Sequence, residues 1–452
     1  MKRAGMRISD TLDSLKDLIA HARELISYAR QEGADESEVY GIAGRSVDID
    51  LRRDVVELAS ESHHSGLGLR AVVAGAVGFS STSDMSLLRT VARSAVQSAR
   101  ARGGDPSWCS LPVPAAVRPA EGVFDPRLAD IEPEVCLDLA KNMLSGCRNV
   151  PGAEPVSGGV SCALGGSFVL NTRGVELQEN GTLMHASMEC IARRADVATG
   201  SEFFISRAYQ SSLEDVGQAA AEMACSSLGG VRAESGTFDV LLRPQAVAEL
   251  LENTLLPALS ADNVQKGRSL LTARIGERIC SECLNIVDDG LVPGGIDSSS
   301  FDGEGVPSQR TVLIEQGILK GYLYDSYTAG KDAVRSTGNA VRSGYTDVPR
   351  VGIRNLLVGS SSPQNLLEET RGYLVTGLIG AHTANAISGD FSVEARNAFA
   401  IAPGEAMRPI RSLMLTANVF DLLKDIEVGK DVRAVGTIVT PTVKVKMKVV
   451  GS

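Results

Sequence analysis

Six of the chain's 17 prolines fall within residues 104–133: Pro106, Pro112, Pro114, Pro119, Pro126 and Pro133. Proline fixes φ and removes a backbone donor, so this run is neither a helix interior nor a central strand. It reads as an extended connection, and the chain must organise itself on either side of it. At roughly 150 residues per domain, the 452 residues divide into 1–105, 106–230 and 231–452.

Ahead of the prolines, Leu12, Leu15, Leu18, Ile19, Ala22, Leu25, Ile26 and Ala29 recur at steps of three and four. They predict a helix over 10–32, capped by Ser9 or Asp10 and stopped by Gly33. Val47, Ile49 and Leu51 alternate with Asp48 and Asp50, a half-buried strand with Val55–Ala59 as its hairpin partner. Residues 67–79 predict a second hairpin, broken at Gly75. A helix over about 84–101 is expected to bury Leu87, Leu88, Val91, Ala95 and Ala99.

Beyond the prolines, a helix is expected near 134–147. An antiparallel meander follows, with turns at Asn171–Gly174 and Asn180–Gly181, and then a helix over 213–228 ended by Gly229–Gly230. The third part opens with a strand at 238–242. One helix then carries Ala246, Val247, Leu250, Leu251, Leu255 and Leu259 inward. Thr311–Glu315 and Ile318–Tyr324 flank a hairpin turn at Gln316–Gly317. Ile438–Val450 reads as a strand faced with Lys444, Lys446 and Lys448, suited to a protected sheet edge. No short tandem repeat is visible. The element order predicts an α+β fold: an N-terminal α/β unit with antiparallel strands, and a larger, mainly antiparallel, β-rich C-terminal domain.

Composition removes several function classes. The balance of 45 basic against 55 acidic residues and a pI near 5.2 argue against a nucleic-acid or anionic-membrane partner. Aromatics at 4% do not build a base-stacking platform. The longest nearly uncharged stretch, Ala71–Ser83, is too short to span a bilayer, and no apolar signal core follows Met1-Lys2-Arg3. A cytoplasmic location is expected. Eight scattered cysteines do not make a disulfide framework.

Four local motifs invite chemistry. Gly66-Leu67-Gly68-Leu69-Arg70-Ala71 spells G-x-G-x-x-A, but strand-like residues follow it where a dinucleotide loop needs a helix. Glycines of a tight β-hairpin are the expectation. Cys280-Ser281-Glu282-Cys283 lacks a second ligand pair, so two partly buried thiols at a helix end are expected. His63 and His64, adjacent on a strand, point to opposite faces and cannot share an ion. Ser298-Ser299-Ser300 lies in an irregular glycine-rich loop without a nucleophile elbow, a setting suited to the margin of a peptide cleft.

Two stretches go further. One runs from Ile286-Val287-Asp288-Asp289-Gly290 through Gly294-Gly295-Ile296-Asp297-Ser298-Ser299-Ser300-Phe301-Asp302-Gly303-Glu304-Gly305 to Leu319-Lys320-Gly321-Tyr322-Leu323-Tyr324-Asp325. The other is Thr383-Ala384-Asn385-Ala386-Ile387-Ser388-Gly389-Asp390-Phe391-Ser392. Both closely resemble the TldD/PmbA family, whose members have carried the label of DNA gyrase modulators. In that family the TldD-type half resembles a zinc peptidase with H-E-x-x-x-H on a helix and a late cysteine as ligands. The TldE/PmbA-type half lacks them.

The helix of this chain aligned with that motif reads Glu252-Asn253-Thr254-Leu255-Leu256-Pro257. No histidine lies between His185 and His382, and Cys283 is the last cysteine. The resemblance therefore implies a TldE/PmbA-type subunit with no catalytic residue, metal ligand or cofactor of its own. Zinc is expected in a TldD-like partner. That assembly would handle unfolded or leader peptides in proteolysis and peptide maturation, with strand addition as one presentation mode. Candidate peptide-cleft residues are Gly294, Gly295, Ser298, Ser299, Asn385, Ser388 and Gly389. Two alternatives stand beside this reading. One is a homodimeric peptide-binding module without peptidase activity. The other is an independent hydrolase using Ser298–Ser300 or Cys280/Cys283 with a distant histidine.

Overall fold

A computed structural model describes residues 8–451. Helix α1 (Ile8–Gln31) carries the expected apolar face inward, with Leu15, Leu18, Ala22, Leu25 and Ala29 buried. The side chains of Ser9, Asp10 and Leu12 lie outside the described residues. Strands β1 (Glu36–Arg52), β2 (Val55–Val73) and β3 (Ala76–Thr82) follow, then α2 (Leu88–Arg102). The second segment repeats this order: α3 (Pro133–Arg148), β4 (Ala153–Asn171), β5 (Glu176–Arg193), β6 (Val197–Ser206) and α4 (Glu214–Ser226).

The two sets of strands form one six-stranded sheet in the order β3-β2-β1-β4-β5-β6, joined by antiparallel pairing of β1 with β4. Inward residues of β1 such as Val39 and Ala43 meet α1 and α2, while Val47, Ile49 and Leu51 meet α3. The four helices therefore share one face of the sheet. The other face is turned to the rest of the chain.

Several local expectations change. Val55–Ala59 and 67–73 belong to one strand, β2; the hairpin turning at Gly75 forms as expected between β2 and β3, and Gly66 and Gly68 sit along its strand, away from the turn. The histidine pair lies mid-strand as well. Asn180–Gly181 also lies within a strand, opposite Gly166 and Gly165 of β4. A glycine in a strand interior can mark close approach of another group instead of a turn, and that is its use here. Leu87 sits in the short turn of helix before α2 and is 46% exposed.

In the last segment, β7 (Gly236–Leu242), β10 (Gly372–Ile379), β11 (Asp390–Ile401), β12 (Leu413–Asn418) and β13 (Val443–Gly451) pair in a ring. The circuit runs β10-β7-β13-β12-β11 and back to β10. Strand β13 is flanked by β7 and β12, so the lysine-faced strand is not an edge. Its lysines form the outer face of a closed ring, and Pro441 separates it from Ile438–Thr440. A second sheet holds β8 (Leu284–Asp289) and β9 (Arg310–Glu315), the latter hairpinned at Gln316–Gly317 as expected, though the returning strand is only Ile318–Leu319.

The helix expected through Leu259 is two pieces: α5 (Pro244–Asn253) and α6 (Leu255–Leu259). Pro257 has no N–H for the carbonyl four residues back, at Asn253, and its ring would strike that carbonyl in a continuous helix. The chain bends at Thr254, with φ −129° and ψ −66°.

Candidate functional site

The break between α5 and α6 opens onto a cavity of about 1290 Å³. Glu249, Glu252, Leu256 and Pro257 form one wall. The proline-rich connection supplies Asp105 and Trp108, and the C-terminal segment supplies Asp325 and Tyr327. Trp108 and Tyr327 stack with centroids 6.4 Å apart, and the Tyr327 hydroxyl donates to Asp105 at 2.8 Å. Arg70 lies over the Trp108 ring at 5.7 Å.

Behind the Trp108 ring, reached through Arg70, sits a buried ion cluster. Arg70 donates to Glu38 at 2.8 Å and to Glu304 at 2.7 Å, and Arg342 donates to the second oxygen of Glu38. All four side chains are 5% exposed or less. Burial disfavours charge on Arg70, but Glu38 and Glu304 outweigh it and hold the guanidinium above its ordinary value. Burial likewise opposes charge on Glu304, where Arg70 and the Ser326 N–H prevail and lower it. Nearby Asp302 is pushed up to about 7, by burial first and by the Glu304 charge second. Glu38 and Arg70 come from the N-terminal sheet, Glu304 and Arg342 from the C-terminal segment, so the cluster fastens the two across the cavity's base.

At the aligned motif, the polar groups are spent on the backbone. Asn253 Nδ2 donates to the Glu249 carbonyl at 2.8 Å, and Thr254 Oγ1 donates to the Leu250 carbonyl at 2.6 Å. The cavity lining contains carboxylates but neither histidine nor cysteine. Among the described residues no three His, Cys, Asp or Glu side chains group as a metal site requires. A zinc ion of the N- and S-ligated kind does not fit this donor set.

The candidate cleft residues fall in two separate places, neither lining the large cavity. Gly294 packs against the proline-rich connection, its N–H donating to the Glu121 carbonyl at 2.8 Å, while Gly295 lies against Ser298 and Asn355. Ser298 Oγ donates to the Val292 carbonyl at 2.6 Å and accepts from Asn355 at 2.9 Å. Ser299 Oγ accepts from Arg354. Ser298 and Ser299 border a second cavity of about 380 Å³. Asn385 caps the N–H groups of Ile387 and Ser388, Ser388 Oγ donates to Asp390 at 2.7 Å, and Gly389 lies against Phe420.

The thiols also differ from expectation. Cys280 and Cys283 lie in the loop before β8, not at a helix end. Burial pushes Cys280 up to about 12, far from a thiolate nucleophile. Sequence reasoning missed the ion cluster and the Trp108–Tyr327 pair. The one tryptophan in the chain, placed in the proline-rich run, was the available signal.

The comparisons with known proteins agree with this architecture. Domain models described as PmbA/TldA metallopeptidase domain 1, central domain and C-terminal domain match residues 37–100, 126–228 and 235–451. An uncharacterized protein of Methanocaldococcus jannaschii is 32% identical over 94% of this chain and 99% of its own length. Metalloprotease PmbA of Escherichia coli O157:H7 is 26% identical over 95% of this chain and 96% of its own. The crystal structure of TldE from Thermococcus kodakarensis superposes with a TM-score of 0.88 at 25% identity, covering 95% of this chain and all of that one. Fold and cavity together define a metallopeptidase-like α+β protein. The chain belongs to the PmbA/TldD family. No helix among its described residues is long and apolar enough to cross a membrane.

Proposed function

We propose that this chain is a non-catalytic, TldE/PmbA-like subunit of a cytoplasmic zinc metallopeptidase complex. It forms one wall of a peptide chamber and presents unfolded or leader peptides to a TldD-like partner that holds the zinc. The observation that carries this reading is at α5–α6. Glu252 and Pro257, aligned with the family's two histidines, both line the large cavity. The cavity is kept while the side chains on its wall are ones that cannot bind zinc together.

Supporting features lie around it. The aromatic pair and the ion cluster give the cavity a rigid floor, and its mixed apolar and polar walls suit a peptide more than a single small molecule. The resemblance of the relatives named as metalloproteases supplies the reaction class.

The test mixes the purified chain with a paralogue bearing H-E-x-x-x-H. Size exclusion and cleavage of an unstructured peptide are then followed. A stable pair should bury well over ~1,000 Å² and cleave where neither chain alone does so efficiently. Separate elution, with the paralogue's rate unchanged, would sink the subunit reading and leave the homodimeric peptide-binding module in its place.

A further inference from the structure

The second cavity lies on the helix-free face of the six-stranded sheet, under the loop that carries Asp297. Its floor has a specific shape. Gly44 of β1, Gly165 of β4 and Gly181 of β5 are paired neighbours across three strands. Side chains at those positions would fill the space. The His64 imidazole lies over Gly44, 2.6 Å from where a Cβ would stand, and the Arg207 guanidinium lies over Gly181 at 2.7 Å. Between them, a Cβ on Gly165 would meet nothing within 4 Å. The result is a trough closed by an imidazole at one end and a guanidinium at the other. With strands ~4.8 Å apart the end glycines lie about 10 Å from each other, and the groups standing over them leave room for about one residue between.

Around the trough, the arginines differ in how directly they are partnered. Arg354 is paired with Asp297 at 3.1 Å, and Arg342 with Glu38. Glu179 accepts from the Ser300 N–H at 3.0 Å. Arg207 forms no ion pair among the described residues, and its Nε is buried with no hydrogen-bond partner. Its one contact is a long bond from Nη1 to the Thr182 carbonyl, 3.4 Å. Asp297 and Glu179 lie near enough to favour its charge, yet neither touches it among the described residues, so its donors are open to a ligand. A planar guanidinium with unused donors has the geometry that a carboxylate accepts. Asp297, 43% exposed, engages Arg354 through Oδ2 and leaves Oδ1 as an acceptor on the same cavity.

We propose that this trough binds an α-carboxylate with its neighbouring N–H, the group shared by a free amino acid and the C-terminal residue of a short peptide. Arg207 holds the carboxylate by charge-assisted donors. Asp297 accepts from the N–H, and bare Gly165 between the two end groups lets the ligand backbone lie flat on the sheet. The assignment concerns a site apart from the large cavity and does not require a zinc-bearing partner.

Calorimetric titration of the full chain tests it with tri-alanine, tri-alanine amide, alanine and inorganic phosphate. Tri-alanine should bind saturably, and amidation of its C-terminus should cost about tenfold or more. Arg207→Met should lose binding similarly. Gly165→Leu, which places its side chain in open space, should block it. If Arg207→Met does not fold, Gly165→Leu carries the test. Alanine binding as well as tri-alanine identifies the free amino acid as the source, and weaker alanine binding identifies a peptide terminus; either upholds the site. Equal binding of acid and amide overturns it. So does phosphate competing better than tri-alanine, no saturable binding of tri-alanine, or binding indifferent to Gly165→Leu.

Discussion

On one side of the large cavity, Glu38, Arg70, Glu304 and Arg342 bury four charges, and every charge has a partner. On the other side, the α5–α6 wall exposes Glu252 to the cavity and uses Asn253 and Thr254 to satisfy its own backbone. Both border one space, yet one is over-determined and the other is chemically idle. A buried pair tolerates no single replacement, because the survivor is stranded without solvent. A solvated wall tolerates many. The cluster therefore preserves the cavity's shape independently of what its wall carries, and a subunit can keep a chamber after its wall has no metal chemistry.

The contrast is broken most directly at Glu304. Glu304→Gln leaves Arg70 with one counter-charge in place of two, and should cost about 3–5 kcal/mol in urea unfolding. A loss under ~1 kcal/mol would place the cluster with ordinary surface pairs.

Asp288 sharpens the same side through pH. Burial pushes it up to about 7, against donors from Asn339 and the Arg354 N–H. A carboxyl raised in the folded state takes up a proton on folding. Its stabilising contribution is complete below its unfolded value near 4 and is lost as pH rises through about 7, at up to ~1.4 kcal/mol per pH unit. Urea midpoints across that window should fall less steeply for Asp288→Asn than for the parent chain. Parallel slopes would show that the site is ionised throughout.

On the wall side, Glu252→His with Asn253→Glu and Pro257→His should leave zinc content and peptide hydrolysis at background. Two imidazoles without a third ligand or supporting hydrogen bonds make an incomplete site. Stoichiometric zinc retained through dialysis would contradict this. Smallest of all, Glu252→Ala should shift stability by no more than about 0.5 kcal/mol, since its side chain has only solvent to lose.

The periodic elements were legible in the chain itself. Helices α1, α2, α3 and α4 follow from spacing because each buries one regular face. Glycines misled for a physical reason. Locally, Gly66, Gly68 and Gly181 signal turns, but here they make room for groups arriving from elsewhere: Tyr345 over Gly66 and Gly68, Arg207 over Gly181. Pro257 did announce the helix break, and its effect was masked by the apolar pattern continuing to Leu259. The lysine strand looked like an edge because alternation reports which face is wet and not which neighbours pair. The ion cluster joins Glu38 to Arg342 across 304 residues, a distance no local pattern spans. At the candidate cleft, Ser298 and Ser299 do border a cavity. The residues that give that cavity its charge and shape, Arg207 and the glycine row, are scattered through the first half of the chain.

The first two segments each run helix, three antiparallel strands, helix, and their strands pair with one another only where β1 meets β4. That seam has a consequence for how the chain reaches its fold. Within each half the hairpins join near neighbours and can form quickly, whereas Glu38 must find Asn171 across the proline-rich connection. Until it does, each half carries a bare edge of more than fifteen residues, β1 in one and β4 in the other, able to pair with any strand it meets. Because both halves have the same plan and pair antiparallel, the partner that best imitates the missing half is the same edge from a second molecule. Slow closure of the seam thus exposes the young chain to swapped, self-paired assemblies, and the proline-rich tether, by keeping the correct partner close, is what favours the intramolecular match.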